Sequence, residues 1–441
     1  MNSFKLVLRP LRRGLQAGAN NTVDVLVSVE APDAPPDFLR KRAALNLALV
    51  IDRSGSMRGR PLAEAKRCAQ LVVDRLTVRD RVAVVQYDDG VNLLVPSQPV
   101  EDRDQVRRRI ASISPGGCTN LFGGWLRGAD EVLPNVAEGT ISRVLLLSDG
   151  LANAGVTDRD DIFRQCRALA ERGVTTSTYG LGQRFDELLM TGMAKAGRGN
   201  AYYGITAEDL MDPFEEELQL LSAVCGRDVQ LSYEGFLGAR VELLNAYPQV
   251  RPGVVRLPDL AFDSEAWAIL RVRVPADAVP EAGGAGRVPV LGVSVTLTAV
   301  DEESSPDAIA PQVLELPVLD ADEFADLRPD ARVLRRVAEL DVADIERRAR
   351  DAADAGDWRA VERLLDRALE VGAESDWALR AIGELRRLAE RRDGEELKKE
   401  SLYASIRKGT GLSAKEGAVT DSTSDLERRF LREKTRQGSG R

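Results

Sequence analysis

The chain has 441 residues, of which 44% are hydrophobic and 30% charged; this is a folded, globular composition with room for about two to four domains. Its net charge of -9 argues against a nucleic-acid partner, which would need a concentrated basic face. Histidine is absent, so every Ser-His, Cys-His and zinc-His arrangement is excluded, and chemistry is left to carboxylates, Lys, Cys, Tyr or a bound ion.

Phe4 to Leu8 and Thr22 to Val29 read as strands, and the Pro- and Asp-rich stretch Ala31 to Pro36 reads as a linker. Leu45 to Ile51 is an apolar run interrupted only by Asn46, as expected of a strand covered on both faces of a parallel sheet. Pro61 to Leu76 predicts a helix with proline in its first turn. Arg81 to Tyr87 predicts a strand, and Asp88-Asp89-Gly90 turns it into a hairpin edge, Val91 to Val95. Helices are expected over Arg103 to Ile113, Leu121 to Val132, Asp158 to Arg172, Phe185 to Lys195 and Ala207 to Val224. Strands are expected at Val144 to Leu147 and Val174 to Tyr179, and Tyr202-Tyr203-Gly204 should end the last strand of the sheet. This alternation predicts an α/β fold, a doubly wound and mostly parallel sheet, over 43–225.

After Gly226 the period shortens. Short β segments separated by Gly and Pro run from Asp228 to Leu319. They predict a β-sandwich over 226–320, with the strands of 1–42 pairing into it, so that the α/β domain is an insertion. From 321 to 400 the pattern is helical. Ala355-Gly356-Asp357-Trp358 separates two helices, a third runs from about Trp377 to Arg391, and Trp358 and Trp377 are expected to pack among them. The first two helices resemble one tetratricopeptide-like hairpin without a second copy. Residues 401–441 read as a mobile tail in which Asp425 to Lys434 could form a short basic helix on binding.

Cys68, Cys118, Cys166 and Cys225 contain no CxxC pair, which suggests neither a disulfide framework nor a zinc site and fits a reducing compartment. Met1 to Asn20 carries no apolar core of a signal peptide, and Ala43 to Ile51 is far shorter than the ~20 residues of a membrane span. A cytoplasmic protein is therefore expected.

Asp52-Arg53-Ser54-Gly55-Ser56 directly follows the buried strand, at the strand end where ligands bind in open parallel sheets. In an extended turn, alternate residues share a side, so Asp52, Ser54 and Ser56 can converge. The Gly-rich loop Pro115-Gly116-Gly117-Cys118-Thr119 can add a hydroxyl, and Leu145-Leu146-Leu147-Ser148-Asp149 places a second carboxylate at another strand end. An all-oxygen set of this kind suits a hard divalent ion, Mg²⁺ or alternatively Mn²⁺ or Ca²⁺.

These residues resemble the metal-ion-dependent adhesion site of a von Willebrand factor A domain. Asp52, Ser54 and Ser56 match its first motif, Thr119 its second and Asp149 its third. The likeness covers Ala43 to Val224. The flanking strands and the Asp52-Arg-Ser-Gly-Ser-Met opening are similar to bacterial relatives of inter-alpha-trypsin inhibitor heavy chains. The resemblance implies that the serines and Thr119 touch the ion, that the aspartates often act through water, and that a carboxylate from a protein partner completes the shell. The expected function is thus a metal-dependent protein-binding adaptor and not an enzyme.

Two other readings stay open: a non-catalytic subunit of an AAA+ ATPase or kinase/phosphatase assembly, and self-assembly through the same site. No GxxxxGK[ST] loop is present for the chain itself to be the ATPase by that route. A hydrolase would need a general base that no motif supplies. Around the site, Arg53, Arg58 and Arg60 could steer acidic partners or form a solvated loop. Asp88 and Asp89 read as turn residues, and Cys118 as a small residue in a tight loop.

Overall fold

The computed structural model describes residues 3–35, 42–137, 139–149, 152–181, 185–204, 207–282, 286–300, 309–372, 376–392, 394, 397, 401–402 and 412–414. The chain divides into two units, Met1–Pro35 with Cys225–Val419, and Pro36–Val224 with Thr420–Arg441. It enters through β1 (Lys5–Pro10), β2 (Leu15–Gln16) and β3 (Asn21–Glu30), which belong to the first unit.

The second unit is built from β4 (Ala44–Asp52), α1 (Arg60–Arg75), β5 (Arg81–Tyr87), β6 (Val91–Pro99), α2 (Arg103–Ala111), α3 (Leu121–Val132), β7 (Thr140–Ser148), α4 (Arg159–Glu171), β8 (Val174–Leu181), α5 (Glu187–Ala196), β9 (Arg198–Gly204) and α6 (Ala207–Ala223). Its sheet has the order β6-β5-β4-β7-β8-β9; the β5–β6 hairpin is antiparallel and the other pairings are parallel. The doubly wound α/β fold expected from the sequence is present. Apart from their first residue, β4 and β7 are buried throughout, which explains why Leu47 to Ile51 and Val144 to Leu147 run apolar without alternating; the polar residues earlier in the strands, Asn46, Ser142 and Arg143, are buried with partners.

The strand order places the site. From β4 the chain winds out to β5 and β6 on one side; it then crosses to β7 on the other side and continues to β8 and β9. The carboxyl ends of β4 and β7 therefore flank the switch point, where connections diverge and leave a crevice. Asp52 is the last residue of β4, and Asp149 directly follows β7.

The helices that carry the adjoining loops are fixed by tight packing. On α3, a Cβ added at Gly124 would collide with the Tyr87 ring and one at Gly128 with Val50, so this helix lies closer to the sheet than a residue with a side chain permits. Trp125, fully buried on the same helix, donates its indole N–H to Thr176 Oγ1 at 3.0 Å. On the other side of the sheet, Glu217 of α6 is buried with Arg143 of β7, forms an ion pair with it, and accepts hydrogen bonds from Ser177, Asn200 and Tyr202.

The first unit continues with β10 (Val224–Gly235), β11 (Arg240–Leu243), β12 (Gln249–Arg251), β13 (Val254–Arg256), β14 (Leu260–Ala261), β15 (Ser264–Val274), β16 (Arg287–Ala299), β17 (Gln312–Leu319), α7 (Ala321–Ala325), α8 (Ala331–Asp354), α9 (Trp358–Val371), α10 (Asp376–Glu390) and β18 (Leu412–Ala414). Two sheets face each other, β1-β3-β15-β11 with β18 on β15, and β12-β13-β10-β16-β17-β2 with β14 on β10. β3 pairs antiparallel with β15 along its whole length. Val23, Val25, Val27 and Val29 point into the core between the sheets, while Leu26 faces Val333, Val337 and Leu340 of α8. The valines therefore alternate with Asp24, Leu26 and Ser28, of which Leu26 alone joins the apolar contact with α8.

Ala31 to Ala34 differ from a free linker. Ala31 N–H donates to the Ser264 carbonyl (2.9 Å), Pro32 accepts from Asp263 N–H (3.1 Å), and Ala34 N–H reaches the Asp263 carboxylate (3.4 Å). Those backbone groups find partners on the sandwich, so the segment runs on as part of it. α8 and α9 are joined through Gly356, at φ 74, and Asp357, which caps α9 by accepting from Ala360 N–H. Trp358 packs against the core of α8–α10. The side chain of Trp377 and the stretch Asp425 to Lys434 lie outside the described residues. No described helix is long and apolar enough to cross a membrane.

Candidate metal centre

Asp52 is fully buried. Its Oδ1 accepts from Ser54 N–H at 2.8 Å and its Oδ2 from Ser148 Oγ–H at 2.6 Å. The Oγ atoms of Ser54 and Ser56 are 3.1 Å apart, and Ser56 Oγ–H donates to Asp149 Oδ1 at 2.9 Å. Four of the five expected residues thus form one continuous chain of polar contacts across the ends of β4 and β7.

Thr119 is buried and is bound through its backbone. Its N–H donates to Asn153 Oδ1 at 2.8 Å, and its carbonyl accepts from the N–H groups of Asn153 and Ala154, each at 3.2 Å. Among the described residues its hydroxyl makes no hydrogen bond to the other four side chains. Asn120 caps α3 by accepting from Gly123 N–H at 3.1 Å. A Cβ at Gly155, where φ is +71, would collide with that same Asn120 side chain. The loop before α3 is therefore pressed against the loop that follows Asp149.

Burial first, then the charge of Asp52, lifts the Asp149 carboxyl to about 6. Burial likewise raises Asp52, although the hydrogen bonds from Ser148 and Ser54 oppose it. Among the described residues no Lys or Arg lies within ion-pair distance of either aspartate. The buried Tyr87 hydroxyl sits beside Asp52 and Ser148 without reaching hydrogen-bond geometry, and burial and the Asp52 charge hold its pKa well above the usual phenol range. Two adjacent buried carboxylates with no fixed cation, joined by hydroxyl oxygens, form a donor set that fits a hard divalent cation.

The surrounding residues differ in what they do. Arg53 is held by Asp88 at 2.6 Å and by the Ser114 carbonyl at 3.2 Å, so its charge is already spent inside the protein. Arg60 is exposed, 3.6 Å from Glu64. Asp88 does make the expected turn, accepting from Gly90 N–H at 2.9 Å, but it also joins two loops. Cys118 is exposed, and none of the four cysteines forms a disulfide. The sequence reading missed Ser148, Asn153 and Tyr87. Only the Asn120 cap, directly before Leu121, carried a readable local signal.

The model of the von Willebrand factor type A domain family matches residues 46–216. The chain is similar to the uncharacterized protein sll0103 of Synechocystis sp., with 26% identity over 276 residues that cover 59% of this chain and 64% of that protein. It is also similar to inter-alpha-trypsin inhibitor heavy chain H3 of Mesocricetus auratus, with 28% identity over 165 residues that cover 35% of this chain and 18% of that one. The chain thus spans less than two thirds of the length of either relative. Among solved structures, a von Willebrand factor type A protein from Catenulispora acidiphila superposes with a TM-score of 0.67 at 17% identity, covering 86% of this chain and 89% of the other, which supports the fold. Residues 46–216 of this chain form a von Willebrand factor type A domain.

Proposed function

We propose that this chain is a non-catalytic, divalent-metal-dependent protein-binding module that captures an acidic side chain of a partner at Asp52, Ser54, Ser56, Thr119 and Asp149. One observation carries the reading: Ser56 and Asp149 are in direct contact, beside a second buried aspartate, with no cation of the described residues to balance them.

Ser54, Ser56 and Thr119 offer neutral oxygens, and Asp52 and Asp149 offer charged ones. Ser148 and the Ser54 amide orient the Asp52 carboxylate, and Ser56 orients that of Asp149. A bound Mg²⁺ or similar hard cation would supply a position that prefers one further anionic oxygen, which a partner Asp or Glu can offer. The protein's share is to hold its own oxygens in place and keep the floor of the site dry. The same chemistry would serve in an ATPase or kinase/phosphatase assembly, or between copies of this chain. A cytoplasmic setting fits four cysteines of which none is in a disulfide.

The test is co-purification from the source cells in Mg²⁺ and in EDTA, with wild type, Asp52→Ala and Asp149→Ala. Partners that are lost with the ion and with either aspartate support the reading. An identical partner set in every arm contradicts it.

A further inference from the structure

Arg53 stands between two residues of the candidate metal centre, Asp52 and Ser54, yet its guanidinium is bound elsewhere. Nη2 meets Asp88 Oδ2 at 2.6 Å, and Nη1 donates to the Ser114 carbonyl at 3.2 Å. The same Asp88 oxygen accepts from Gly117 N–H at 3.2 Å, while Oδ1 accepts from Gly90 N–H at 2.9 Å. Asp88 is buried and Arg53 is four-fifths withdrawn from water, so the pair is only weakly screened.

The main chain follows the side chains. Arg53 N–H donates to the Tyr87 carbonyl at 2.9 Å, and the Arg53 carbonyl accepts from Gly116 N–H at 2.7 Å. Gly55 N–H donates to the Gly117 carbonyl, and Asn120 N–H to the Asp88 carbonyl, each at 2.8 Å. Three segments distant in sequence meet here: the turn after β4, the turn after β5, and the loop that carries Thr119 into α3.

The first glycine of that loop has a reason. A Cβ at Gly116 would collide with the Asp88 carboxylate, and one at Gly117 with the carboxylate of Asp89. At Gly116 the loop rests on the buried, fully bonded Asp88 carboxylate more closely than a residue with a side chain allows, whereas the Asp89 carboxylate facing Gly117 is exposed and can swing aside.

We propose that Arg53 and Asp88 are positioning residues of the metal centre: their ion pair fixes the separation between the Asp52–Ser56 turn and the Thr119 loop, although neither side chain belongs to the donor set. This inference rests on the metal-binding reading above. Donors drawn from separate loops converge only if something outside the donor set holds those loops, and loss of such support typically weakens metal binding by about 10- to 100-fold. The pair also removes the one cation next to Asp52 in sequence, which leaves Asp52 and Asp149 free to meet a cation from solution.

The experiment uses the full chain as wild type, Arg53→Met, Arg53→Lys, Asp88→Asn and the Arg53→Met/Asp88→Asn double variant. Mn²⁺ is the probe, and free Mn²⁺ is followed by electron paramagnetic resonance. Hydrogen exchange of the Gly117 and Asn120 amides is measured in EDTA. Each of Arg53→Met and Asp88→Asn should weaken Mn²⁺ binding by about tenfold or more. The double variant should lose little beyond the weaker single variant, and Arg53→Lys should keep part of the affinity. The two amides should exchange faster while those of α5 stay unchanged.

Single variants within about twofold of wild-type affinity, or losses that simply add, overturn the proposal. So does exchange that rises uniformly through β4, β5 and α3, since that marks a general structural role. If wild type binds no Mn²⁺, the metal-binding reading fails, and the positioning role is decided by exchange alone; unchanged Gly117 and Asn120 amides then overturn it.

Discussion

Ser56 donates a hydrogen bond of 2.9 Å to Asp149, which lies 93 residues further along the chain. The contact exists because β4 and β7 are parallel neighbours whose carboxyl ends stop at the same level, on either side of the point where the winding reverses. It joins the first and third motifs of the candidate metal centre directly.

Divalent-metal loading should raise the melting temperature. A ligand that binds only the folded state at 100 times its Kd contributes about 2.7 kcal/mol. Differential scanning calorimetry with Mg²⁺ and with EDTA should show the rise in wild type and lose it in Asp149→Ala.

The pH dependence has two signs. The folded-state pKa of Asp149 lies above its ordinary 3.8, at about 6, so the metal-free folded state binds more protons than the unfolded chain in that window. Stability from this group is present in acid and is lost as pH rises through about 6. A cation must displace that proton, so Mg²⁺-induced stabilisation should be larger at about pH 7.5 than at about pH 5. Asp80 and Glu217 run the other way. Burial pushes each upward, but Arg42 with the Leu45 and Thr77 amides outweighs it for Asp80, and Arg143 with Ser177 and Asn200 for Glu217, and both end below the usual carboxylate range. Their contribution is present at neutral pH and is lost as pH falls through their folded-state values. Melting curves in EDTA across this range check both signs.

Gly116→Ala and Gly383→Ala should have opposite effects. The first drives a Cβ into Asp88 and should cost about 1–3 kcal/mol, with weakened metal binding. Around Gly383, in α10, a Cβ meets nothing, and alanine should stabilise the helix by about 0.5–1 kcal/mol. Urea unfolding of the two variants measures the contrast.

Glu217→Ala should strand the buried Arg143 and remove an acceptor from Ser177, Asn200 and Tyr202. Breaking a buried pair in this way costs about 3–5 kcal/mol. Chemical denaturation monitored on this unit should show a loss of that size; a change below about 1 kcal/mol would show that the network adds little.

Much of this architecture was legible because each layer leaves a period. The apolar runs Leu47 to Ile51 in β4 and Val144 to Leu147 in β7 announce strands covered on both faces, and Asp52 and Asp149 lie just past them. The helix Leu121 to Val132 could be bounded by its cap and its apolar spacing. The Arg53–Asp88 pair was not legible. Asp88 has an adequate local role as a turn residue, and nothing in a one-dimensional pattern shows that its second oxygen reaches Gly117. The purpose of Gly116 was hidden for the same reason: its constraint is Asp88, 28 residues earlier in sequence and close only in the fold. Short strands such as β2, β12 and β14 have too few residues to carry a period at all.

The most direct test of the central claim is isothermal titration of Mg²⁺ into the full chain, comparing wild type with Asp149→Ala. Saturable binding at one site, strengthened as pH rises and abolished by the substitution, is the predicted result. No binding by a folded wild type, or equal binding by both proteins, would contradict it.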